Sequence, residues 1–304
     1  MKLLLTGSYP YSEKELKEIR ELGFLVYFHQ NEAEKINFDV SEIEVVVCVD
    51  IFKANDIRRF KSLKYLKLTT VGSDSLPHDY LLENEITVLN AKDTYAVPMG
   101  EWAVLKILEI LKKSREFLVN QSNKKWLKNV ESLELFNKNV LIIGYGNVGK
   151  AIKERLSGFK VNFFVYNRSP VLDLDINQIK LTKEYLKTID IVIVSLPLTK
   201  ETYHLLDLNF FNNLKDNVVL INLARGSVIK EKDLITALNN GKFLGLGLDV
   251  FETEPLPKES PLWSDERVYL TPHYSYYSEQ LRKRQYNNII NDLKIVKKAL
   301  NLHS

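Results

Sequence analysis

The sequence predicts an α/β protein built on two doubly wound parallel sheets. Three observations carry that expectation. Short apolar runs alternate with helical patterns in two separate series, a long apolar-periodic segment from Met99 stands between them, and a G-x-G-x-x-G spacing opens the second series directly after a strand.

In the first series "KLLLTG", "FLVYF", "VVVCV", "YLKLTT" and "ITVLN" read as strands, with a helical pattern over Ser12 to Leu22 after the first of them. Strands alternating with helices argue for a parallel sheet wrapped by helices. The segment "MGEWAVLKILEILKKSREFLV" from Met99 reads as one helix with Trp102, Leu105, Leu108 and Leu111 on or near one face, long enough to connect two domains. The second series comprises "KNVLIIG", "VNFFVYN", "DIVIVSLP", "NVVLINL", "FLGLGLDV" and "RVYLTPH". These runs are apolar almost throughout, as expected of strands covered on both faces. The last segment, Tyr276 to Leu300, is helical in pattern and is free to pack back onto the first domain.

A chain of 304 residues can bury a large core, and 45% hydrophobic with 27% charged residues is ordinary for a globular protein. Formal charge is +3, from 42 basic and 39 acidic residues, with the bases scattered among acids, so nucleic acid is not an expected partner. Cys48, the single cysteine, sits inside the apolar run "VVVCVD", where it reads as a small packed hydrophobe. The apolar run in "MKLLLTGSYP" is too short for a signal peptide and no stretch approaches membrane-spanning length, so a cytoplasmic protein with no membrane partner is expected.

"VLIIGYGNVGKAIKERL" places Gly144, Gly146 and Gly149 between a strand and a helix, with Asn147 and Val148 in the turn. Gly144 permits the tight turn, Gly146 lets backbone approach a pyrophosphate, and Gly149 lets the helix lie close to the strand. The helix N-terminus offers amide protons and partial positive charge to phosphates, so the segment predicts dinucleotide binding. In such a unit the next strand ends in an Asp or Glu that takes the ribose hydroxyls. Here it ends in Asn167, Arg168 and Ser169, eighteen to twenty residues after Gly149, and none is an acid. A carboxylate would repel a 2′-phosphate, whereas a guanidinium and a hydroxyl can receive it. NADP(H) is therefore expected to be preferred, with NAD(H) possible; the alternative is that Arg168 faces solvent or stacks on adenine and leaves a permissive site.

Three later segments, "NLARGSVIKEKDLITAL", "GLGLDVFETEPLP" and "YLTPHYS", place Arg225, then Asp249 and Glu254, then His273 just past strands. Ligands of open α/β sheets bind at the carboxyl ends of strands, so these residues are candidates for one site. Gly144 to Gly149, "SLPLTKET", "NLARGSVI", "LDVFETEP" and "TPH" together resemble, in order and spacing, the D-isomer-specific 2-hydroxyacid dehydrogenase family, from about Val71 to His273. The first 70 residues match only in their pattern of strands and helices.

The resemblance implies hydride transfer between a nicotinamide and C2 of a 2-oxo or 2-hydroxy acid. By the same resemblance Arg225 binds the substrate carboxylate and polarises its carbonyl, and His273 exchanges a proton with the nascent alkoxide. Glu254 holds the imidazole and favours its protonated form. Asp249 accepts from the nicotinamide carboxamide, Leu196 and Pro197 with Thr202 line the cofactor cleft, and backbone amides around Val71, Gly72 and Ser73 meet the substrate carboxylate. Each residue also has a plain structural reading: Arg225 as a loop cap, Glu254 in a surface ion pair, His273 as a satisfied histidine, Asp249 as a turn residue, and "TTVGSDS" as a simple turn. His29, His78, His204 and His303 show no metal-ligand spacing, and no metal is expected.

The resemblance implies a Rossmann cofactor domain, residues 95–274, inserted into a flavodoxin-like substrate domain, residues 1–94 with 275–304, closing on their ligands. It also implies a homodimer, for which "SREFLVNQSNKKWLKNVESLELF" is the candidate arm, a solvated helix and loop being the other reading. Two departures stand out: the missing ribose acid, and "YSYYS" after His273, whose Tyr274, Tyr276 and Tyr277 either shape a pocket or pack at a contact. Tyr9 and Tyr11 are open in the same way. Formate dehydrogenases resemble this pattern with Gln in place of Glu254, which argues against formate. Phosphite dehydrogenases carry a similar Arg, Glu and His, and some relatives act as dinucleotide-sensing corepressor scaffolds; both stay as alternatives to the leading expectation, NADPH-dependent reduction of glyoxylate or hydroxypyruvate.

Overall fold

The computed structural model describes residues 1–73, 75–128 and 130–301. Asp74, Asn129 and the last three residues of the expected discontinuous domain, His303 among them, lie outside the described residues. The chain divides into two compact units: Met1–Thr94 with the segment from Ser278 onward, and Tyr95–Tyr277.

The first unit opens with β1 (Lys2–Thr6), α1 (Glu13–Glu21), β2 (Leu25–His29) and β3 (Val45–Cys48), and continues through β4 (Tyr65–Leu68), α2 (His78–Glu83) and β5 (Thr87–Leu89). All pairings are parallel and the strand order is β2-β1-β3-β4-β5, the flavodoxin-like winding. Helix α1 starts where its chemistry dictates: Ser12 and Glu15 form a reciprocal capping box that satisfies two amides left bare at a helix start. Alternation along β3 sends Val46 and Cys48 into one buried cluster, with Leu66 and Leu68, and Val45 and Val47 into another, with Leu3 and Leu5. Burial pushes the Cys48 thiol up, as befits packed hydrophobic duty.

The second unit begins with α3 (Ala96–Leu111) and α4 (Ser114–Ser122), where one continuous helix was expected. The break falls at Lys113, whose φ of 53° lies in the left-handed region. Its cause is packing. Small Gly100 and Ala103, with Ile107, Ile110 and Leu111, give α3 its buried stripe, whereas Leu105 is half exposed. Beyond Leu111 the stripe ends and no residue of α4 is buried, so no apolar packing keeps the two segments collinear.

The sheet follows as β6 (Asn139–Ile143), α5 (Asn147–Leu156), β7 (Asn162–Tyr166), β8 (Ile176–Gln178), α6 (Lys183–Leu186) and β9 (Ile191–Val194). Then come α7 (Leu208–Asn213), β10 (Val218–Asn222), α8 (Glu231–Asn239), β11 (Phe243–Leu248) and β12 (Val268–Leu270). Seven parallel strands in the order β12-β11-β10-β9-β6-β7-β8 form the Rossmann winding, with strand order reversing beside β6. Val140 and Ile142 pack on the α3 and α5 side, Leu141 and Ile143 on the other, which is why β6 reads as continuously apolar. Edge strand β8, short and half polar, gave no sequence signal.

The chain then returns to the first unit as α9 (Leu281–Asn301), which starts later than the expected Tyr276 because residues 276–280 are taken up by turns. Ile289, Ile290, Leu293, Val296 and Leu300 lie against Leu3, Leu5, Val45 and Val47. On the same side Lys67 of β4, fully buried, pairs with Asp292 and donates to Asn288 Oδ1 and to Asn90 O at 2.9 Å.

Candidate active site

The glycine turn joins β6 to α5. Gly144 has φ of 96°, and a Cβ there would lie 2.8 Å from the Leu196 amide, so the turn demands glycine. Gly149 is buried, with the Gly144 oxygen 2.5 Å from where its Cβ would stand, while nothing lies within 4 Å of such a position on Gly146. Asn147 and Val148 form the first turn of α5, whose leading amides point out of the helix N-terminus.

Beside this turn is an open groove of about 960 Å³ lined by Gly146, Lys150, Lys153, Asn167, Ser169 and Asp173, among others. Asn167 shapes it: its Oδ1 accepts from the Tyr145 amide at 3.1 Å and its Nδ2 donates to Ser169 O at 3.0 Å. Arg168 is exposed and is not part of the lining; its charge, with that of Lys200, acts on Glu201. The cations facing the groove are Lys150 and Lys153, which sequence reasoning missed although the helical spacing after Gly149 displays them. Also missed was an acid, Asp173, paired with Lys153 at 3.3 Å and accepting from the Tyr145 hydroxyl at 3.0 Å. Burial pushes the Asp173 carboxyl up but is outweighed by the Tyr145 hydroxyl, the Asp175 amide and the Lys153 ammonium, which together hold it below the usual carboxylate range. The open space at Gly146, the helix N-terminus and the paired lysines fit a dinucleotide phosphate.

After β9, Leu196 and Pro197 begin a loop folded on itself by Thr202, whose Oγ1 donates to Pro197 O at 2.7 Å and accepts from the Thr199 amide at 2.7 Å. Ser195 Oγ donates to Gly144 O at 2.7 Å, tying this loop to the glycine turn.

Arg225 follows β10 and is half-buried, its Nη1 donating to Ala224 O at 2.7 Å. Asn222, the buried last residue of β10, fixes the turn by accepting from the Ala224 amide at 3.2 Å and donating to Arg225 O at 3.3 Å. A polar residue closing an otherwise apolar strand was the available clue to Asn222.

His273 and Glu254 come together. The His273 Nδ1–H donates to Glu254 Oε2 at 2.8 Å, and Glu254 Oε1 accepts from the Phe251 amide at 3.0 Å. The imidazole is 43% exposed, so its Nε2 edge can meet a reactant while Nδ1 is held. His273 has a φ of 52°, a left-handed conformation that persists only when its surroundings over-determine it. Asp249 supplies that constraint. Its carboxylate, 1% exposed, accepts from the Thr271 hydroxyl, the Tyr274 amide at 2.7 Å and the Ser275 amide at 3.0 Å, while its carbonyl accepts from the His273 amide at 2.8 Å. The buried Asp249 carboxylate is thus taken by the turn that carries His273. Tyr276 meets His273 edge-on at 6.3 Å and Tyr95 edge-on at 5.6 Å, while Tyr274 stacks on Tyr277.

Val71, Gly72 and Ser73 lie in the first unit, past the end of β4. Their carbonyls are taken locally, by Asn90 Nδ2 at 3.1 Å, Thr70 Oγ1 at 3.1 Å and His78 Nε2 at 2.8 Å. Among the described residues, no cluster of three or more His, Cys, Asp or Glu side chains is placed to hold a metal, and no helix is long and apolar enough to cross a membrane.

Residues 104–275 match the family model described as D-isomer specific 2-hydroxyacid dehydrogenase, NAD binding domain. D-3-phosphoglycerate dehydrogenase of Methanocaldococcus jannaschii is 27% identical over 93% of this chain, which spans 55% of that relative's length. Hydroxypyruvate reductase of Thermotoga maritima is 30% identical over 81% of this chain and 82% of its own. Among solved structures, D-lactate dehydrogenase from Aquifex aeolicus, complexed with NAD and lactic acid, superposes with a TM-score of 0.80 at 23% identity, covering 98% of this chain and 95% of that one; it shares the fold.

Proposed function

Because this chain belongs to the D-isomer-specific 2-hydroxyacid dehydrogenase family, we propose that it is a cytoplasmic reductase of small 2-oxo acids, glyoxylate or hydroxypyruvate, with NADP(H) favoured over NAD(H). The observation that carries this reading is the His273–Glu254 pair at 2.8 Å, held past the ends of β11 and β12. The bound nicotinamide supplies or takes the hydride at C2. Arg225, past the end of β10, grips the substrate carboxylate and polarises the adjoining carbonyl, a task suited to a fixed cationic fork. His273 gives the proton from Nε2 to the forming alkoxide. Glu254 accepts the Nδ1–H throughout and so keeps Nε2 turned to the reactant, and the Phe251 amide keeps its carboxylate from rotating away.

Support for NADP(H) comes from the groove: no acid stands at Asn167, two lysines line the wall, and Asp173 is already engaged by Lys153 and the Tyr145 hydroxyl. We assign the phosphate-facing role to Gly146, Asn147, Val148, Lys150, Asn167 and Ser169. Hydroxypyruvate is favoured by the name of the Thermotoga relative, and pyruvate belongs in the test beside it. Initial rates of reduced-nicotinamide loss with NADPH and NADH against glyoxylate, hydroxypyruvate and pyruvate decide the matter. Faster turnover with NADPH on a 2-oxo acid is expected. Faster turnover with NADH would overturn the cofactor assignment, and no turnover despite measurable dinucleotide binding would overturn the enzymatic one.

We further propose a homodimer through α4 and the segment after it, where Phe117, Leu118, Val119, Trp126 and Leu127 are all exposed, Trp126 by 89%. Sedimentation as a monomer at micromolar concentration would remove this assembly.

A further inference from the structure

We propose that His204 is a positioning residue that clamps the Arg225 turn to the Glu254 loop and thereby fixes Glu254 against His273; the catalytic sense of this rests on the function proposed above. His204 does so with two different groups. Its backbone amide donates to Ser227 O at 2.8 Å, in the turn that begins at Arg225, and the next residues continue the join through an isolated bridge between Leu206 and Ile229. Its imidazole Nε2–H donates to Glu252 Oε1, in the loop that ends at Glu254.

The two segments so joined are already in hard contact. A Cβ on Gly226 would stand 1.8 Å from the Phe251 carbonyl carbon and 2.4 Å from the Glu252 nitrogen. The Phe251 amide is the donor that holds Glu254 Oε1, so a displacement of residues 251–252 moves the carboxylate that supports His273. His204 itself is held in an unusual state. Its φ is 52°, in the left-handed region, and its ring lies stacked on Tyr203 with centroids 3.9 Å apart. Backbone in that region at a non-glycine residue is kept where surroundings enforce it, and here it aims one residue's amide and ring at two different segments. The charged groups around the clamp are Glu252 and, on α8, Glu231, whose Oε2 accepts from the Glu252 amide at 3.2 Å. Glu231 thus holds the backbone of residue 252 while His204 holds its side chain. Neither member of this second histidine–carboxylate pair, two residues from the first along the loop, lines the groove beside the glycine turn.

The test uses the full chain and three variants, His204→Ala, His204→Gln and Glu252→Ala. Misplacing a reacting group by about 1 Å costs on the order of a hundredfold in rate, and a partly released loop should cost roughly tenfold. His204→Ala and Glu252→Ala are each expected to lower kcat by about that much while the KM for the dinucleotide stays within about twofold, and the double variant should be no worse than the poorer single one. His204→Gln, whose amide still donates to Glu252, should recover most of the loss. Hydrogen exchange at the Phe251 amide provides a readout that needs no turnover: it should quicken in both alanine variants and not in the glutamine one. Unchanged exchange at Phe251 in folded His204→Ala overturns the clamp, whatever the activity. Quickened exchange in a protein without turnover in any form would uphold the clamp and sink the enzymatic reading instead. Additive losses in the double variant, or a loss confined to dinucleotide KM, would also overturn it.

Discussion

Replacing Gly226 with alanine forces apart the two loops that carry Arg225 and Glu254, and the size of the effect follows from the coordinates. The added methyl would sit 1.8 Å from the Phe251 carbonyl carbon and 1.9 Å from its oxygen. Carbon atoms rest about 3.5 Å apart, so the segments must separate by more than about 1 Å. Both contacts are backbone, and neither can swing aside as the end of a long side chain would. A displacement of about 1 Å between reacting groups costs on the order of a hundredfold, equivalent to about 2.7 kcal/mol of barrier. Overpacking of this kind also costs about 1–3 kcal/mol of stability, which leaves a folded protein that melts several degrees lower. The assay is kcat with saturating 2-oxo acid beside dinucleotide affinity by fluorescence titration. Retained affinity with kcat lowered about a hundredfold is expected. A kcat within about threefold of the parent, at full occupancy, would refute the idea that contact between these loops sets the geometry of the site.

His273→Ala should lower turnover by about 10²–10⁴-fold with dinucleotide binding intact, and near-normal rates would remove His273 from acid–base work. Asn167→Asp combined with Arg168→Ala should shift the ratio of NADPH to NADH efficiency toward NADH; an unchanged ratio would defeat the assignment of 2′-phosphate recognition to the end of β7. Asp292→Ala leaves the fully buried Lys67 without its counter-charge and should destabilise the first unit by about 3–5 kcal/mol in urea titrations, whereas Lys67→Met with Asp292→Leu should recover most of that. Burial, opposed by the Glu252 amide and reinforced by the Glu252 carboxylate, holds the Glu231 carboxyl above its usual value. A raised carboxyl contributes stability that is fully present below the unfolded value and is lost as pH rises through the folded one. Glu231→Gln should therefore melt higher than the parent at pH 7 and match it near pH 4, and a pH-independent difference would contradict the assignment.

What the sequence made legible follows the physics of each element. Strands covered on both faces leave unbroken apolar runs, and the glycine turn leaves a spacing that few other structures require. Arg225, Glu254 and His273 are candidates in the sequence because each follows such a strand inside a motif that resembles the family, and the structure pairs the last two. The break at Lys113 was not, because it depends on where a buried stripe ends in three dimensions. Lys67 reads as a misfit in a strand until Asp292, far along the chain, arrives with the opposite charge. His204 shows no metal-ligand spacing and carries no other signal in the sequence, since its partner Glu252 is distant along the chain and its backbone is left-handed. Arg168 is exposed after β7 while Lys150 and Lys153 of α5 line the groove; which side of a turn a residue occupies is decided by backbone geometry that residue type alone does not encode.

The return of α9 to the first unit also imposes an order on the chain during its synthesis. Leu3, Leu5, Val45 and Val47 emerge from the ribosome early, but the helix that covers them, through Ile289, Leu293 and Val296, is made only after the whole of Tyr95–Tyr277. At about 5–20 residues per second that interval is roughly ten to forty seconds. The contiguous second unit can complete its own core within that time, while the first displays an apolar sheet face of the kind that holdase chaperones bind. The unit begun first is therefore the last to finish, and shortening α9 should show its effect first in the yield of soluble protein from the cell.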